Sequence, residues 1–160
     1  MSEVLIREAR LPEDKSACLS FIAGLQRYEH RFELDRRIDP AVAEDYLAVL
    51  TKRVAKHQGR IFIAEMDGAA IGWAVFVVEQ NAIYVVEDER TYGYVADLFV
   101  HEEARGRGIG QALIAACEAV GRALGLKLMM IGVLAGNKRT ASIYARAGYS
   151  PYATELRKYL

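Results

Sequence analysis

The stretch of sequence that decides the fold runs Val95-Ala96-Asp97-Leu98-Phe99-Val100-His101-Glu102-Glu103-Ala104-Arg105-Gly106-Arg107-Gly108-Ile109-Gly110. It begins with an apolar run typical of a strand and leads into a helical pattern from Gln111 to Leu124. Three glycines at alternate positions leave the backbone bare where the strand ends and the helix begins, and two arginines share this turn. Free N–H groups at a helix N-terminus, the positive end of the helix dipole and two cations favour an anion. The sequence therefore predicts that a phosphate-carrying molecule binds here.

Length and composition limit the classes of protein that the sequence fits. With 160 residues, 52% of them hydrophobic and 26% charged, the chain is expected to form one globular domain over residues 1–160. Lysine plus arginine and aspartate plus glutamate number 21 each, so nucleic acid is not expected as a partner. We see neither a signal peptide nor an apolar run long enough to span a bilayer, so no membrane partner is expected either. Cys18 and Cys117 are interpreted as buried thiols in a reducing compartment, which predicts a cytoplasmic protein.

The order of predicted elements is β-α-α-β-β-β-α-β-α-β. The predicted strands are Glu3 to Ala9, Arg60 to Glu65, Ala70 to Glu79, Tyr94 to Val100, Lys127 to Leu134 and Tyr149 to Leu156. The predicted helices begin near Pro12, Pro40, Gln111 and Asn137. A hairpin turn over residues 66–69 makes its two strands antiparallel, whereas the strand-turn-helix-strand unit of residues 94–134 makes one pair parallel. The sequence thus predicts a mixed α/β fold with helices packed on the sheet.

Three kinds of phosphate site fit a glycine-rich turn between a strand and a helix. A dinucleotide-binding fingerprint needs its third glycine at the place of Gln111, and its strand comes first in the domain rather than late. A nucleoside-triphosphate P-loop needs glycine followed by Lys and Ser or Thr, a run that this sequence lacks. The third kind is a cradle for the pyrophosphate of coenzyme A.

Two blocks of the sequence resemble the signature of the GNAT acetyltransferases. The first runs from Val95 to Leu113 and contains the pattern Arg/Gln-x-x-Gly-x-Gly/Ala, which follows a bulged strand in that superfamily. In the second, Asn137 is followed seven residues later by Tyr144, and then by Gly148 and an aromatic residue. The order of elements also matches, so the resemblance covers essentially the whole chain. It implies a GNAT-like fold, a central, mostly antiparallel twisted sheet with a parallel splayed pair and helices on both faces.

The resemblance also implies acetyl-CoA as the acyl donor, with no metal, and assigns roles to residues. Backbone groups of the bulged strand would hydrogen-bond the pantetheine arm, as an added strand would, and these belong to Leu98, Phe99 and Val100. Backbone N–H groups of the turn would hold the pyrophosphate, and these belong to Arg105, Gly106, Arg107, Gly108, Ile109 and Gly110. Asn137 would offer its side-chain amide to the pantetheine. Tyr144 would contact the coenzyme and, as general acid, protonate its departing thiolate.

Each of these side chains also has a plainer interpretation. Asn137 suits an N-cap, which does not exclude a contact with the coenzyme. Tyr144 alone would be read as a core aromatic residue on a helix, but its spacing from Asn137 favours the general acid. Arg105 and Arg107 are also compatible with solvated surface charges, and in that case only the backbone N–H of Arg107 would bind phosphate.

The reaction that the resemblance implies is the attack of a primary amine on acetyl-CoA, the amine belonging to a small molecule, a polyamine or a peptide. A carboxylate would take the proton of the amine. Similar polyamine acetyltransferases carry a glutamate at the place of Ala96. Asp97 is the next candidate, although strict strand alternation would put it on the opposite face unless the bulge changes this, and a structural role is the alternative. Further candidates around the expected cleft are Glu79, Glu87, Tyr84, Tyr92 and Tyr94.

The sequence indicates least about the identity of the acceptor. Residues 27–39 mix acidic and basic side chains, and mixed charge is typical of a solvated face. The cluster Glu87-Asp88-Glu89 fits a cationic acceptor and a solvated hairpin tip equally well. The three histidines have no metal-ligand spacing, and no cysteine is paired with them for zinc.

Two other functions compete with that of an N-acetyltransferase, and fold alone does not separate them. A non-catalytic acyl-CoA-binding sensor is the alternative that the missing glutamate at Ala96 keeps open, while Tyr144 speaks against it. A nucleic-acid binder using Arg105 and Arg107 is disfavoured by the neutral net charge. A homodimer is common in the family that the sequence resembles, which makes it a possible assembly here.

Overall fold

The computed structural model describes residues 3–160. The strands are β1 (Val4–Glu8), β2 (Arg60–Met66), β3 (Ala69–Gln80), β4 (Thr91–Val100) and β5 (Met129–Ile131). The helices are α1 (Lys15–His30), α2 (Val42–Lys56), the single turn α3 (Glu87–Arg90), α4 (Ile109–Ala123) and α5 (Lys138–Arg146), and a 3₁₀ turn at Glu102–Ala104 precedes α4.

The five strands form one mixed sheet in the order β1-β2-β3-β4-β5. Antiparallel pairing joins β1 to β2, β2 to β3 and β3 to β4, and parallel pairing joins β4 to β5. The predicted hairpin between β2 and β3 turns through Asp67 (φ 52°) and Gly68 (φ 78°), the two positive values that a tight two-residue hairpin needs. The predicted fold class, a mostly antiparallel sheet with a parallel pair, is confirmed.

Two apolar clusters cover the two faces of the sheet, and β3 contributes to both. Its residues Trp73 and Val75 pack with α1 and α2 on one face, whereas Ala74 and Phe76 pack with α4 on the other. Each residue is fully buried, and burying an aliphatic or aromatic side chain contributes about 1.5–3 kcal/mol. A strand covered on both faces loses the polar alternation of a solvated one, which explains the continuous apolar run of β3.

A bulge in β4 shifts its pairing with β3 by one residue. Val75 pairs with Asp97 and Phe76 with Val95, so Ala96 is the extra residue of β4. As a result Ala96 packs against the cluster under α1 and α2, and Asp97 reaches a side chain of α2 on the same face. The expectation from strict alternation, that Asp97 faces the opposite side, is therefore wrong.

The parallel pair β4–β5 is short and then diverges. Pairing covers Gly93, Tyr94 and Val95 with Met129, Met130 and Ile131. From Ala96 onward, β4 continues for five residues without a partner on that edge among the described residues. The predicted splayed pair is thus present, and a cleft opens between its strands.

Three local predictions are wrong. The strand predicted for residues 127–134 is reduced to β5, whose three residues are half-buried rather than covered on both faces. The apolar run Ile83-Tyr84-Val85-Val86 could extend a strand and Glu87-Asp88-Glu89-Arg90 is typical of a turn, but residues 83–86 form a turn and a bend and residues 87–90 form the helical turn α3. The last predicted strand, Tyr149 to Leu156, is absent, and residues 151–160 are exposed and have no regular secondary structure. Pro151 lacks the N–H that a ladder needs, and the short edge of β5 offers little to pair with.

Candidate active site

A cleft of about 1130 Å³ opens where β4 and β5 diverge. Ten of the eleven residues predicted to bind the coenzyme line it, namely Leu98, Phe99, Val100, Arg105, Gly106, Gly108, Ile109, Gly110, Asn137 and Tyr144. The predicted base Asp97 lines it as well. The exception is Arg107, whose exposed side chain turns away to the Met66 sulfur at 3.4 Å.

We call the part of the cleft around Gly106, Gly108 and Gly110 the glycine end. Gly106 and Gly108 have φ values of 77° and 75°, which side chains other than glycine rarely adopt, and no atom lies within 4 Å of a Cβ built at either position. Within residues 3–160 the backbone N–H groups of residues 106–111 have no acceptor. Open space and a row of free N–H groups at the start of α4 fit a pyrophosphate.

Arg105 has a structural role at this end. Its Nε donates to the backbone oxygen of Val100 at 2.9 Å, and its guanidinium lies over the rings of Tyr28 and Phe99 at 5.0 and 5.6 Å from their centroids. The side chain therefore braces the turn against β4 and α1. It also occupies the Val100 carbonyl, one of the backbone groups that were expected to be open to a ligand.

Asn137 is both an N-cap and a lining residue. Its Oδ1 accepts a hydrogen bond from the Thr140 backbone N–H at 3.2 Å, which caps α5. Its side chain is only 5% exposed and lines the cleft, so its amide is fixed in place at the wall.

Tyr144 lies on α5 with its side chain 8% exposed and its hydroxyl at the cleft. Within residues 3–160 the hydroxyl makes no hydrogen bond, and it is not sealed from the cleft. Burial raises the pKa of Tyr144 above its ordinary value, and the nearby carboxylates Glu29 and Asp97 act in the same direction. The phenol therefore keeps its proton at neutral pH and is available as a donor.

Asp97 is a buried carboxylate at the centre of the cleft. It is 6% exposed, and Tyr46 on α2 donates its hydroxyl to Oδ2 at 2.5 Å. Burial raises the pKa of Asp97 to about 7, although the hydrogen bond from Tyr46 opposes this effect. A carboxyl group that titrates near neutrality and lines a cleft has the properties of a proton acceptor.

The other candidates for a base separate into two groups. Tyr94 lines the cleft, while Glu79, Glu87, Tyr84 and Tyr92 do not. Glu79 instead accepts two hydrogen bonds from Arg53, at 2.7 and 3.0 Å, which makes it a structural ion pair. Glu87 and Tyr84 are exposed in and before α3. The acidic cluster at 87–89 is accordingly a solvated tip.

The cleft is also lined by charged side chains, and we call the part formed by its carboxylates the carboxylate end. Its carboxylates are Glu29, Asp35, Asp45, Asp97 and Glu155. Three of them form ion pairs with arginines: Arg36 lies 2.7 Å from both Glu29 and Asp35, Arg157 lies 2.8 Å from Asp35, and Arg37 lies 3.0 Å from Asp45. Within the described chain Asp97 and Glu155 have no ion-pair partner, so theirs are the carboxylates of this lining that are left for a cationic group.

Sequence reasoning missed Tyr46 and Glu155. Tyr46 falls in the apolar stripe of α2, where its ring packs against the cluster under α1 and α2, so the sequence indicated a core residue. Glu155 lay in the predicted last strand. Arg157, which pairs with Asp35 at 2.8 Å and also with Glu33, ties the C-terminal segment to the loop after α1, and Glu155 reaches the cleft from there.

The comparison with known families agrees with this geometry. The model of the acetyltransferase (GNAT) family matches residues 23–149, which include the glycine end, Asp97, Asn137 and Tyr144. The chain belongs to the GNAT acetyltransferase family. Family membership and similarity to an aminoglycoside N-acetyltransferase show that the chain is an N-acetyltransferase.

This N-acetyltransferase is similar in sequence to one characterised enzyme and in fold to two solved structures. It is 29% identical over 108 residues to an aminoglycoside N(6')-acetyltransferase type 1 of Stenotrophomonas maltophilia, covering 67% of this chain and 67% of that enzyme. A GCN5-related N-acetyltransferase of Ralstonia eutropha JMP134 has a TM-score of 0.76 at 22% identity, with 99% of each chain covered. Aminoglycoside N-acetyltransferase AAC(6')-Iy, solved in complex with CoA, has a TM-score of 0.71 at 20% identity and covers 100% of this chain and 96% of its own.

The described residues offer neither a metal site nor a membrane-spanning helix. No group of three or more His, Cys, Asp and Glu side chains within residues 3–160 is arranged to hold a metal ion. Over the same residues, none of the helices combines the length and the apolar character that crossing a membrane requires.

Proposed function

We propose that this GNAT enzyme transfers the acetyl group of acetyl-CoA to a primary amine of a cationic acceptor, in a single domain over residues 1–160 and in the cytoplasm. One observation carries the proposal: a proton acceptor (Asp97) and a proton donor (Tyr144) line the same cleft as the free N–H groups of the glycine end. Both thiols, Cys18 and Cys117, are free and fully buried, in keeping with a reducing compartment.

The glycine end supports the choice of coenzyme A as the donor. Bare glycine backbone and the N–H groups of residues 106–111 would hold the pyrophosphate, and the unpaired edge of β4 from Ala96 onward would lie along the pantetheine arm. Asn137 would offer its amide to the same arm. Arg139 and Arg146 also line the cleft, with no carboxylate partner among the described residues, and supply positive charge for a phosphate-rich molecule.

The chemistry divides between the two buried side chains. Acetyl-CoA, when bound, supplies the thioester whose C–S bond breaks as the new C–N bond forms. Asp97, ionised, would take the proton that the amine nitrogen must lose, and Tyr144 would donate a proton to the departing sulfur. Asp97 accepts a proton only when ionised, so turnover should rise with pH through its pKa of about 7.

The charge of the carboxylate end supports a cationic acceptor. Asp97 and Glu155 remain after the arginine pairs are formed, and both face the cleft. A molecule with several amino groups could place one at Asp97 and leave another, still protonated, beside Glu155. Polyamines and aminoglycosides have this chemistry, and two of the compared proteins bear the name of aminoglycoside acetyltransferases.

The test is a thiol-release assay with acetyl-CoA and a panel of aminoglycosides, polyamines, monoamines and lysine peptides. We expect turnover with at least one polycationic amine, and an Asp97→Asn variant that binds coenzyme normally but turns over about 100-fold more slowly. Tight coenzyme binding without turnover on any amine would identify a sensor instead. An Asp97→Asn variant of full activity would remove Asp97 from the mechanism.

A further inference from the structure

A short hydrogen bond joins two side chains of the cleft lining, with the Tyr46 hydroxyl donating to the carboxylate of Asp97. Tyr46 comes from the middle of α2 and Asp97 from the bulged half of β4, and the hydroxyl lies 2.5 Å from Oδ2. The Tyr46 ring packs on the apolar cluster under α1 and α2, so its position is fixed by the core rather than by solvent. A donor held in this way fixes in turn the orientation of the group that accepts from it.

The two oxygens of Asp97 are in different situations. Oδ2 is occupied by Tyr46, whereas Oδ1 makes no hydrogen bond within residues 3–160 and is not sealed from the cleft. One oxygen therefore anchors the carboxylate and the other is free for a substrate. Without an anchor, a carboxyl group with this degree of burial would be free to rotate away from the cleft or to become protonated.

We infer that Tyr46 is a positioning residue, which fixes Asp97 at the bulge and keeps its carboxylate ionised and aimed at the acceptor amine. This inference rests on the proposed function, in which Asp97 accepts the proton of the amine. It gives a catalytic consequence to a side chain that the helical pattern assigns to the core.

The groups around Asp97 leave Tyr46 as its main local influence. Glu29 from α1 raises the pKa of Asp97, and Arg53 and Tyr46 from α2 lower it. Tyr94 on β4 and Tyr144 on α5 also face this carboxylate and carry no charge at neutral pH. Glu29 is paired with Arg36 at 2.7 Å and Arg53 with Glu79 at 2.7 Å, so both outer charges are largely compensated. Burial and the charge of Asp97 raise the pKa of Tyr46 itself, which keeps its hydroxyl protonated as a donor.

The decisive variant is Tyr46→Phe, which removes the hydroxyl and keeps the ring that packs on the core. We measure the pH titration of the Asp97 carboxyl by ¹³C NMR and the pH dependence of kcat/KM with one fixed amine. Losing a hydrogen bond to a charged group should move both midpoints to higher pH by about one pH unit. The rate should therefore fall about tenfold at pH 6 and recover above pH 9, a pattern that general loosening of the fold does not produce.

Two further variants serve as a control and as a change in the opposite direction. Tyr92→Phe removes another half-buried tyrosine hydroxyl from the same strand as Asp97 but outside the cleft, and it should leave both midpoints unchanged. Replacing Tyr46 with 3-fluorotyrosine keeps the ring and makes the O–H a stronger donor, so both midpoints should move to lower pH.

The titration of Asp97 and the pH midpoint of kcat/KM together distinguish the outcomes. An unchanged Asp97 titration in Tyr46→Phe and in the fluorotyrosine protein overturns the inference. If the titration moves and the kcat/KM midpoint stays in place, the carboxylate is tuned by Tyr46 but is not the base. That result counts against the proposed role of Asp97 and not against the hydrogen bond.

Discussion

The two ends of the cleft are built from different parts of the polypeptide. At the glycine end the surface is backbone, namely the N–H groups of residues 106–111 and the open edge of β4. At the carboxylate end the surface is formed by side chains, which come from α1, the loop after it, α2, β4 and the C-terminal segment. Backbone groups are the same in every sequence that forms this turn, whereas a side chain changes with the residue at its position. The glycine end is thus suited to a ligand shared across the family, and the carboxylate end to one that differs between members.

The largest effect is expected from Gly108→Glu, which puts a side chain and a negative charge into the glycine end. Gly108 has a φ of 75°, and the added carboxylate would face the pyrophosphate. We expect coenzyme affinity, measured by calorimetry, to fall by at least about 100-fold, or roughly 2.7 kcal/mol.

Gly125→Glu is the matched control for that variant. Gly125 has a φ of 74° with no neighbour within 4 Å of its Cβ position, but it follows the other end of α4 and does not line the cleft. It carries the same backbone strain without the charge in the cradle. Equal losses of coenzyme affinity in the two variants would show that strain, and not the ligand site, explains the effect.

A second prediction separates binding from chemistry within the cleft. Tyr144→Phe should lower kcat about 100-fold while coenzyme affinity stays close to that of the parent, because only the proton donor is removed. Tyr149→Phe is its control, since the Tyr149 ring lies 6.4 Å from that of Tyr144 but its hydroxyl bonds to Glu118 outside the cleft. Normal turnover in Tyr144→Phe would exclude it as the acid.

A third prediction concerns the cost of keeping a carboxylate buried at the carboxylate end. The folded-state pKa of Asp97, about 7, lies above the unfolded value of 3.8, so the folded state binds the proton more tightly. Raising the pH from 5 to 8 therefore removes stability that the protonated form provides. Urea unfolding should show that Asp97→Asn gains about 2.6 kcal/mol relative to the parent over this range.

The exposed Asp88 supplies the control for stability, because its carboxylate is solvated in both the folded and the unfolded protein. Asp88→Asn should follow the parent at every pH. A parallel pH trend for Asp97→Asn and the parent would mean that Asp97 ionises in the folded protein as it does in the unfolded chain.

The smallest effect is expected at the rim of the carboxylate end. Glu155→Gln should raise KM for a diamine about threefold and leave KM for a monoamine unchanged, since an exposed ion pair contributes about 0.2–1 kcal/mol. The difference should shrink in high salt. Glu13→Gln, an exposed acid at the start of α1, should affect neither substrate. Equal KM values for the parent and Glu155→Gln with every diamine would assign recognition of the acceptor to other groups.

The glycine end was predictable because its groups follow one another along the chain. The spacing of Gly106, Gly108 and Gly110 between a strand and a helix contains the whole arrangement, and ten of the eleven predicted residues do line the cleft. Arg107 is outside it because the spacing fixes backbone conformation and not the direction in which a long side chain turns.

Apart from Asp97, the carboxylate end was not predictable, because its members come from distant segments and each has an ordinary local explanation. Tyr46 continues an apolar helical stripe, and its hydroxyl acquires a partner only when α2 packs on the bulge. The error at Tyr149 to Leu156 has a related cause. Alternation is a local property, but a strand also needs an edge, and β5 provides three residues of it.

The bulge at Ala96 determines where an acid on β4 can reach the cleft. Because positions 96 and 97 share one face of the strand and both line the cleft, a carboxylate at either position would face it. A relative with an acid at the place of Ala96 would present it to the same cleft that Asp97 lines in this chain, so the role proposed for Asp97 could be filled from either position.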